Sequence, residues 1–156
     1  MLADVTSKKS DKDKLIVVQK VVNGNIIWGP DSALWGREDY WSSPNETLKK
    51  GAGDCEDVAI LKMMLLRAAG FSVDNLYLVI GLDTAARQAH AVLIARSDGR
   101  FWVLDQRIDA VVADKDYGFF APVISMGEAQ SWVHGYKLLG VWFTTSHSSD
   151  LADVKK

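Results

Sequence analysis

The sequence predicts an α+β domain, built as a central helix packed against an antiparallel sheet. Two observations carry that prediction: a strongly helical stretch over 54–69 that is apolar on nearly every side, and a later series of short β-like runs separated by turn residues. A helix that is apolar almost all round belongs inside a domain rather than on its surface.

Taken in order, residues 1–13 are small and charged and read as a flexible N-terminal tail. Leu15, Ile16, Val18, Val21 and Val22 recur near helical spacing, and Asn23-Gly24-Asn25 supplies a stop. Residues 28–53 are rich in aromatics, Gly and Pro without a sustained period, so they read as an ordered loop pinned by Trp28, Trp35, Tyr40 and Trp41, with a turn of helix over 44–49. Ordered loops of that length in compact domains are often functional. The helix over 54–69 has Asp54 as its expected N-cap, acids in its first turn and Gly70 as its stop. Strands are expected over 76–82, 89–95, 100–105 and 137–143, with Ser97-Asp98-Gly99 as a hairpin turn, a short helix over 127–135 and a flexible tail over 144–156. Residues 14–143 then form a single domain.

Composition narrows the function. The chain has 156 residues, 48% of them hydrophobic, enough for a core without disulfides or a structural metal. Cys55 is the only cysteine, which excludes an intramolecular disulfide and cysteine-rich zinc modules. Eighteen Lys and Arg against twenty Asp and Glu give a formal charge of -2, too weak a field to argue for a nucleic-acid partner. The longest apolar run is far short of a membrane span, and the polar stretch from Thr6 to Lys14 is not a signal-peptide core.

If Asp54 caps the long helix, Cys55 falls at its first position. There, free backbone N–H groups and the positive end of the helix dipole favour a thiolate. The alternative is a small buried hydrophobe, but the Gly51 and Gly53 approach leaves Cys55 reachable by a substrate. Acyl transfer from a thiolate needs an imidazole to move the proton and a third group to orient it. Of the three histidines, His134 falls in the expected surface helix and His147 in the tail, which leaves His90 in a strand. A hairpin about Asp98-Gly99 pairs residues whose numbers sum to about 196, so His90 comes close to Asp105. On their own, His90 could be a satisfied core histidine, and Asp105 could cap a turn or pair with Arg107.

The run Trp35-Gly36, Asp39-Tyr40-Trp41, Pro44, Glu46, Leu48, Gly51, Gly53 and Asp54-Cys55-Glu56-Asp57, with Ala59, Lys62, Leu66, Arg67 and Gly70 after it, resembles the bacterial transglutaminase-like cysteine proteinases. The segments His90–Leu93 and Trp102–Asp105 fit the same family, so the likeness spans roughly 20–110. The resemblance implies a papain-like fold with Cys55 as nucleophile, His90 as general base and acid, and Asp105 as its orienting group. It also implies calcium held by Asp54 and Glu56, with Asp57, Asp83 and Asp98 as unranked candidates for the remaining oxygens. Such a calcium-dependent endopeptidase would be periplasmic and cut the N-terminal region of a large surface adhesin, under a cyclic-di-GMP-responsive membrane receptor. The same three residues would equally serve an acyltransferase that resolves the thioester with an amine, and the fold alone could serve as an adhesin- or receptor-binding module. For an oxyanion hole, the Cys55 N–H is one expected donor, and Trp35 or Trp41 could supply an indole N–H.

Overall fold

The computed structural model describes residues 1–8, 10–135 and 145–147. Five helices precede the large sheet: α1 (Leu2–Thr6), α2 (Asp11–Asn25), α3 (Asp31–Leu34), α4 (Pro44–Lys50) and α5 (Cys55–Ala68). Two short strands, β1 (Ile27–Trp28) and β2 (Ala52–Gly53), lie among them. They pair in parallel, Ile27 with Ala52 and Trp28 with Gly53, and so close the long loop onto the residue before Asp54. The strands β3 (Leu76–Asp83), β4 (Gln88–Ser97), β5 (Arg100–Leu104), β6 (Val112–Ala113), β7 (Phe120–Met126), β8 (Ser131–Val133) and β9 (Thr145–His147) form an antiparallel sheet among the described residues. Its order is β6-β5-β4-β3-β7-β8-β9.

Local chemistry explains most element ends. Ser10 caps α2 by accepting from the Asp13 N–H. At α4, Ser43 and Glu46 form a reciprocal capping box, Pro44 opens the helix, and Gly51 ends it in the left-handed conformation. The β4–β5 turn has positive φ at both Asp98 (51°) and Gly99 (71°), as a two-residue hairpin turn matched to the sheet twist requires. Its register pairs Leu93 with Leu104, one residue from the expected alignment.

Alternation along the strands separates two faces. Leu76, Leu78, Ala91, Leu93, Ala95 and Leu104 pack with Leu15, Val18 and Val22 of α2 and with Val58, Leu61, Leu65 and Leu66 of α5. Val79, Val92 and Val103 form a second cluster with Tyr77, Ile94, Tyr117 and Phe120. Helix α5 is buried along one side but not all round, since Met64, Arg67 and Ala68 are exposed, so its apolar sequence overstates its burial. No described helix is long and apolar enough to cross a membrane.

Several elements differ from expectation. Residues 1–13 are not a free tail, because Val5 is fully buried in the main core and anchors α1, while Ser10 starts α2 within the supposed tail. The Asn23-Gly24-Asn25 stop is itself helical, and α2 runs through to Asn25. Residues 127–135 make no helix: Gly127 N–H donates to the Gln130 carbonyl, and β8 returns along β7. Strand β7 was not expected; it contains Pro122, a residue that argues against a strand, which pairs with Gly81 where the β3 register slips after Ile80. In the expected C-terminal tail, 145–147 pair with β8, while the rest of 144–156 and the expected strand over 137–143 lie outside the described residues.

The core holds one fully buried lysine, Lys62, whose pKa burial pushes down from 10.5 to about 7. A lysine with a lowered folded-state pKa binds fewer protons folded than unfolded, so its cost to stability is full below about 7 and disappears as pH rises toward 10.5. Urea unfolding of the wild type should therefore gain stability between about pH 7 and about pH 10 relative to Lys62→Met, whose curve lacks this contribution. Parallel pH profiles for the two proteins would remove the effect.

Candidate active site

The site forms where α5, the loop before it and the β4–β5 hairpin meet. Asp54 occupies the N-cap position of α5, but its side chain makes no capping hydrogen bond. Its carboxylate belongs instead to an acidic cluster in which Asp31, Asp54 and Asp57 offer oxygens within 4.8 Å of one another. Asp31, Asp39 and Glu56 form an overlapping group at the same spacing. Loop packing holds two of these acids: Asp31 Oδ2 accepts from the Tyr40 N–H at 2.5 Å, and Asp57 Oδ1 accepts from the Ser42 N–H at 2.7 Å. Asp31 Oδ1, Asp54 Oδ1 and Asp57 Oδ2 are buried without a partner. Burial, then the charge of Glu56, pushes the Asp54 carboxyl up to about 8, and burial also raises that of Asp57.

Cys55 is a free, half-buried thiol at the first position of α5. Burial pushes its pKa up to about 12, helped by Glu56 and Asp54 and opposed by a backbone hydrogen bond from Ala91. Desolvation and the adjacent carboxylates here act against the helix end, which favours the thiolate. The thiol donates to Glu56 Oε2 at 3.2 Å and makes no hydrogen bond to His90. It does lie against the backbone of Ala91, the residue after His90.

The structure brings His90 and Asp105 together. Both are buried, and His90 Nε2 meets Asp105 Oδ1 at 2.8 Å. An ionised carboxylate only accepts, so Nε2 carries the proton and Nδ1 is the nitrogen left for other partners. Asp105 is held on every side: Oδ1 also accepts from the Arg107 N–H at 3.0 Å, and Oδ2 accepts from Tyr117 Oη at 2.5 Å and Arg107 Nε at 3.2 Å. Burial alone would raise its pKa, but the bonds from His90, Tyr117 and the Arg107 backbone prevail and hold it far below the usual carboxylate range. Arg107 also reaches Asp83 Oδ2 at 2.5 Å, so the expected Asp105–Arg107 pairing and the His90 bond coexist on one carboxylate.

Of the predicted calcium ligands, Asp54 and Glu56 both lie in the acidic cluster, although Glu56 also accepts from Cys55. Among the unranked candidates, Asp57 joins them. Asp83 is bound by Arg107 and by the Ala85 and Ala86 N–H groups, and Asp98 sits in the hairpin turn, so neither joins the cluster. Asp31 and Asp39 were missed because the aperiodic loop gives no spacing signal for residues that meet by folding back. Trp35 packs on Tyr40 at 4.9 Å, and Lys50 sits over its ring, so it serves the loop. Trp28 stands closer to the hairpin: Gln106, oriented to donate to the Asp54 carbonyl at 2.8 Å, accepts from Trp28 Nε1 at 3.3 Å.

A lone thiol at a helix start, beside a sheet carrying a buried histidine–aspartate pair, defines the transglutaminase-like class of thiol proteinase folds. The chain belongs to the bacterial transglutaminase-like cysteine proteinase (BTLCP) family, whose model matches residues 1–136. Among solved structures it is similar to Legionella pneumophila LapG, at 30% identity and TM-score 0.75, covering 85% of this chain and 72% of that one. A calcium-bound form of Legionella pneumophila LapG aligns at 29% identity and TM-score 0.73, covering 90% and 80%. The UPF0252 protein PH0672 of Pyrococcus horikoshii is 30% identical over 103 residues, 59% of this chain. The chain spans about a third (33%) of that curated relative's length.

Gly81 lies opposite His90 in the β3–β4 ladder, and a Cβ there would come within 2.4 Å of the Ala121 carbonyl and 2.6 Å of the Phe120 ring. That ring stands edge-on to His90, with centroids 6.3 Å apart. Gly81→Ala should therefore cost roughly 1–3 kcal/mol in urea unfolding, as overpacking does, and should shift the His90 ring resonances. An unchanged denaturation midpoint would show that the Ala121 backbone and the Phe120 ring both yield without strain.

Proposed function

We propose that this chain is a calcium-dependent cysteine endopeptidase in which Cys55 is the nucleophile, His90 the general base and acid, and Asp105 the residue that orients His90. The observation that carries this reading is the 2.8 Å bond between His90 Nε2 and Asp105 Oδ1, which leaves Nδ1 free to take the thiol proton beside the start of α5. His90 accepts the Cys55 proton as sulfur attacks the scissile carbonyl. The carbon–nitrogen bond then breaks, and the leaving amine takes that proton from His90. Water, deprotonated by His90, attacks the thioester, releases the acid product and restores the thiol. The Cys55 N–H, at a helix start without an intrahelical acceptor, is suited to stabilise the oxyanion.

The acidic cluster fits calcium. Three buried carboxylate oxygens without partners, from Asp31, Asp54 and Asp57, together with Glu56 and Asp39 beside them, are the hard oxygen donors such an ion takes. Bound there, calcium would supply the positive charge these acids lack and brace the start of α5 against the 31–42 loop. The likeness to the calcium-bound LapG supports this ligand. From the family resemblance of its sequence we further propose a large surface adhesin as substrate, a periplasmic location and control by a cyclic-di-GMP-responsive membrane receptor.

Cys55→Ala should abolish peptide-bond cleavage while keeping the melting temperature near that of the wild type. Cleavage by that variant at the wild-type rate would end the thiol mechanism, and an amide formed with an added labelled amine in excess of hydrolysis would make the chain an acyltransferase. Calcium should raise the melting temperature and excess EGTA should reverse it, while Asp31→Asn or Asp54→Ala should shrink the shift. A melting temperature indifferent to both additions would remove the metal.

A further inference from the structure

Three polar side chains outside the candidate triad converge on the main chain behind Asp105. Lys62, in the middle of α5, is fully buried, and its Nζ donates to Gln19 Oε1 at 2.8 Å. Gln19, fully buried on α2, donates through Nε2 to the Asp105 carbonyl at 2.6 Å and also to the Ile108 carbonyl. Asn23, one turn further along α2, donates through Nδ2 to the Asp105 and Gln106 carbonyls at 3.2 Å each and to that of Ile108 at 2.9 Å.

Donor chemistry fixes the direction of this network. Main-chain carbonyls only accept, so Gln19 must turn its N–H groups to Asp105 and Ile108, and its oxygen is left to accept from Lys62. The Asp105 side chain closes that turn from the other side by accepting from the Arg107 N–H. The carbonyls that point inward would be unpaired in the core without Gln19 and Asn23. Among the described residues, Lys62 has no hydrogen-bonded carboxylate partner, yet it feels the charge of Asp105. A methionine would fill the same apolar position without the desolvation cost of an ammonium, so packing alone gives no reason for the charge.

We propose that Lys62, Gln19 and Asn23 are positioning residues that clamp the 105–108 turn between α2 and α5 and thereby keep the Asp105 carboxylate against His90 Nε2. The inference rests on the reading of Cys55, His90 and Asp105 given above and adds what holds that pair in register with the helix that carries the thiol.

The test uses the full chain with ¹⁵N-labelled histidine and three variants: Lys62→Met, Gln19→Glu and Asn23→Ala. Gln19→Glu keeps an acceptor for Lys62, so the core pair remains, but it replaces the donors to the turn with an oxygen. The wild type should show a downfield, exchange-protected His90 Nε2 proton. Gln19→Glu should lose or broaden it, and the rate of Cys55 alkylation by iodoacetamide at neutral pH should fall by about tenfold or more, the scale of loss expected from a misplaced catalytic group. Lys62→Met and Asn23→Ala should move the same signals in the same direction. If the variants keep the His90 proton and the alkylation rate while only their melting temperatures fall, the clamp is structural and the proposal fails. Should Lys62→Met not fold, Gln19→Glu and Asn23→Ala decide by the same criteria. Casein cleavage separates the two readings: a wild type that cleaves while the variants leave His90 untouched sinks the clamp alone. A wild type that cleaves neither casein nor the N-terminal region of a large surface adhesin while His90 responds to the variants sinks the peptidase reading alone.

Discussion

Asp105 is the residue through which separate parts of the molecule are joined. Its carboxylate binds His90 from β4, Tyr117 from the segment before β7, and Arg107 from its own turn, while its carbonyl accepts from Gln19 and Asn23 of α2. A buried carboxylate survives only with such donors, because in their absence burial raises its pKa and neutralises it. Each donor therefore stabilises the same ionised state. The state that satisfies the core is also the one that orients the imidazole, so the candidate chemistry and the packing of α2, α5 and the sheet depend on one electrostatic arrangement.

The start of α5 shows the opposite condition. Asp31, Asp54 and Asp57 leave buried oxygens unpartnered, and Asp54 is pushed toward its neutral form. Among the described residues no salt bridge reaches these three acids, which take the Tyr40 and Ser42 N–H groups, in contrast to Asp105, which His90, Tyr117 and Arg107 all bind. Two acid sites within one small domain are thus distinguished by their donors: one is saturated by protein groups, and the other has the oxygens and the spacing for a cation. The loop over 31–42 provides part of the second site, which accounts for a long, aperiodic and yet ordered connection.

How much was legible in the sequence follows from the range of the interactions. Helix α5, the capping box of α4 and the Asp98-Gly99 hairpin rest on contacts within a few residues, and their periodicity and turn chemistry appear in the chain itself. The His90–Asp105 bond was legible because a two-residue hairpin turn converts a sequence distance into a register, and the observed register lies one residue from the expected one. Asp31 and Asp39 were not legible, since they meet Asp54 and Glu56 only after β1 pairs with β2 and folds the loop back. Strand β7 was obscured by Pro122, and α1 by its short length and charge, although Val5, with Met1 beside the same core, docks it. The position of Cys55 was legible from the N-cap and the glycines before it, whereas its burial and its bond to Glu56 were not, since a helix-dipole argument includes neither.

Lys62 lies within the apolar run of α5, and its amine is fully buried, at a cost the core does not recover through any hydrogen-bonded carboxylate among the described residues. What it supplies is a donor. The carbonyls of Asp105 and Ile108 only accept, so the Gln19 amide turns its N–H groups to them and its oxygen inward, and Lys62 donates to that buried oxygen. Its amine thus costs the core desolvation while completing one arrangement of the neighbouring polar groups. The spacing of α5 from the hairpin is accordingly set by polar geometry as well as by side-chain volume. That spacing is the one dimension a thiol on α5 and an imidazole on β4 must share.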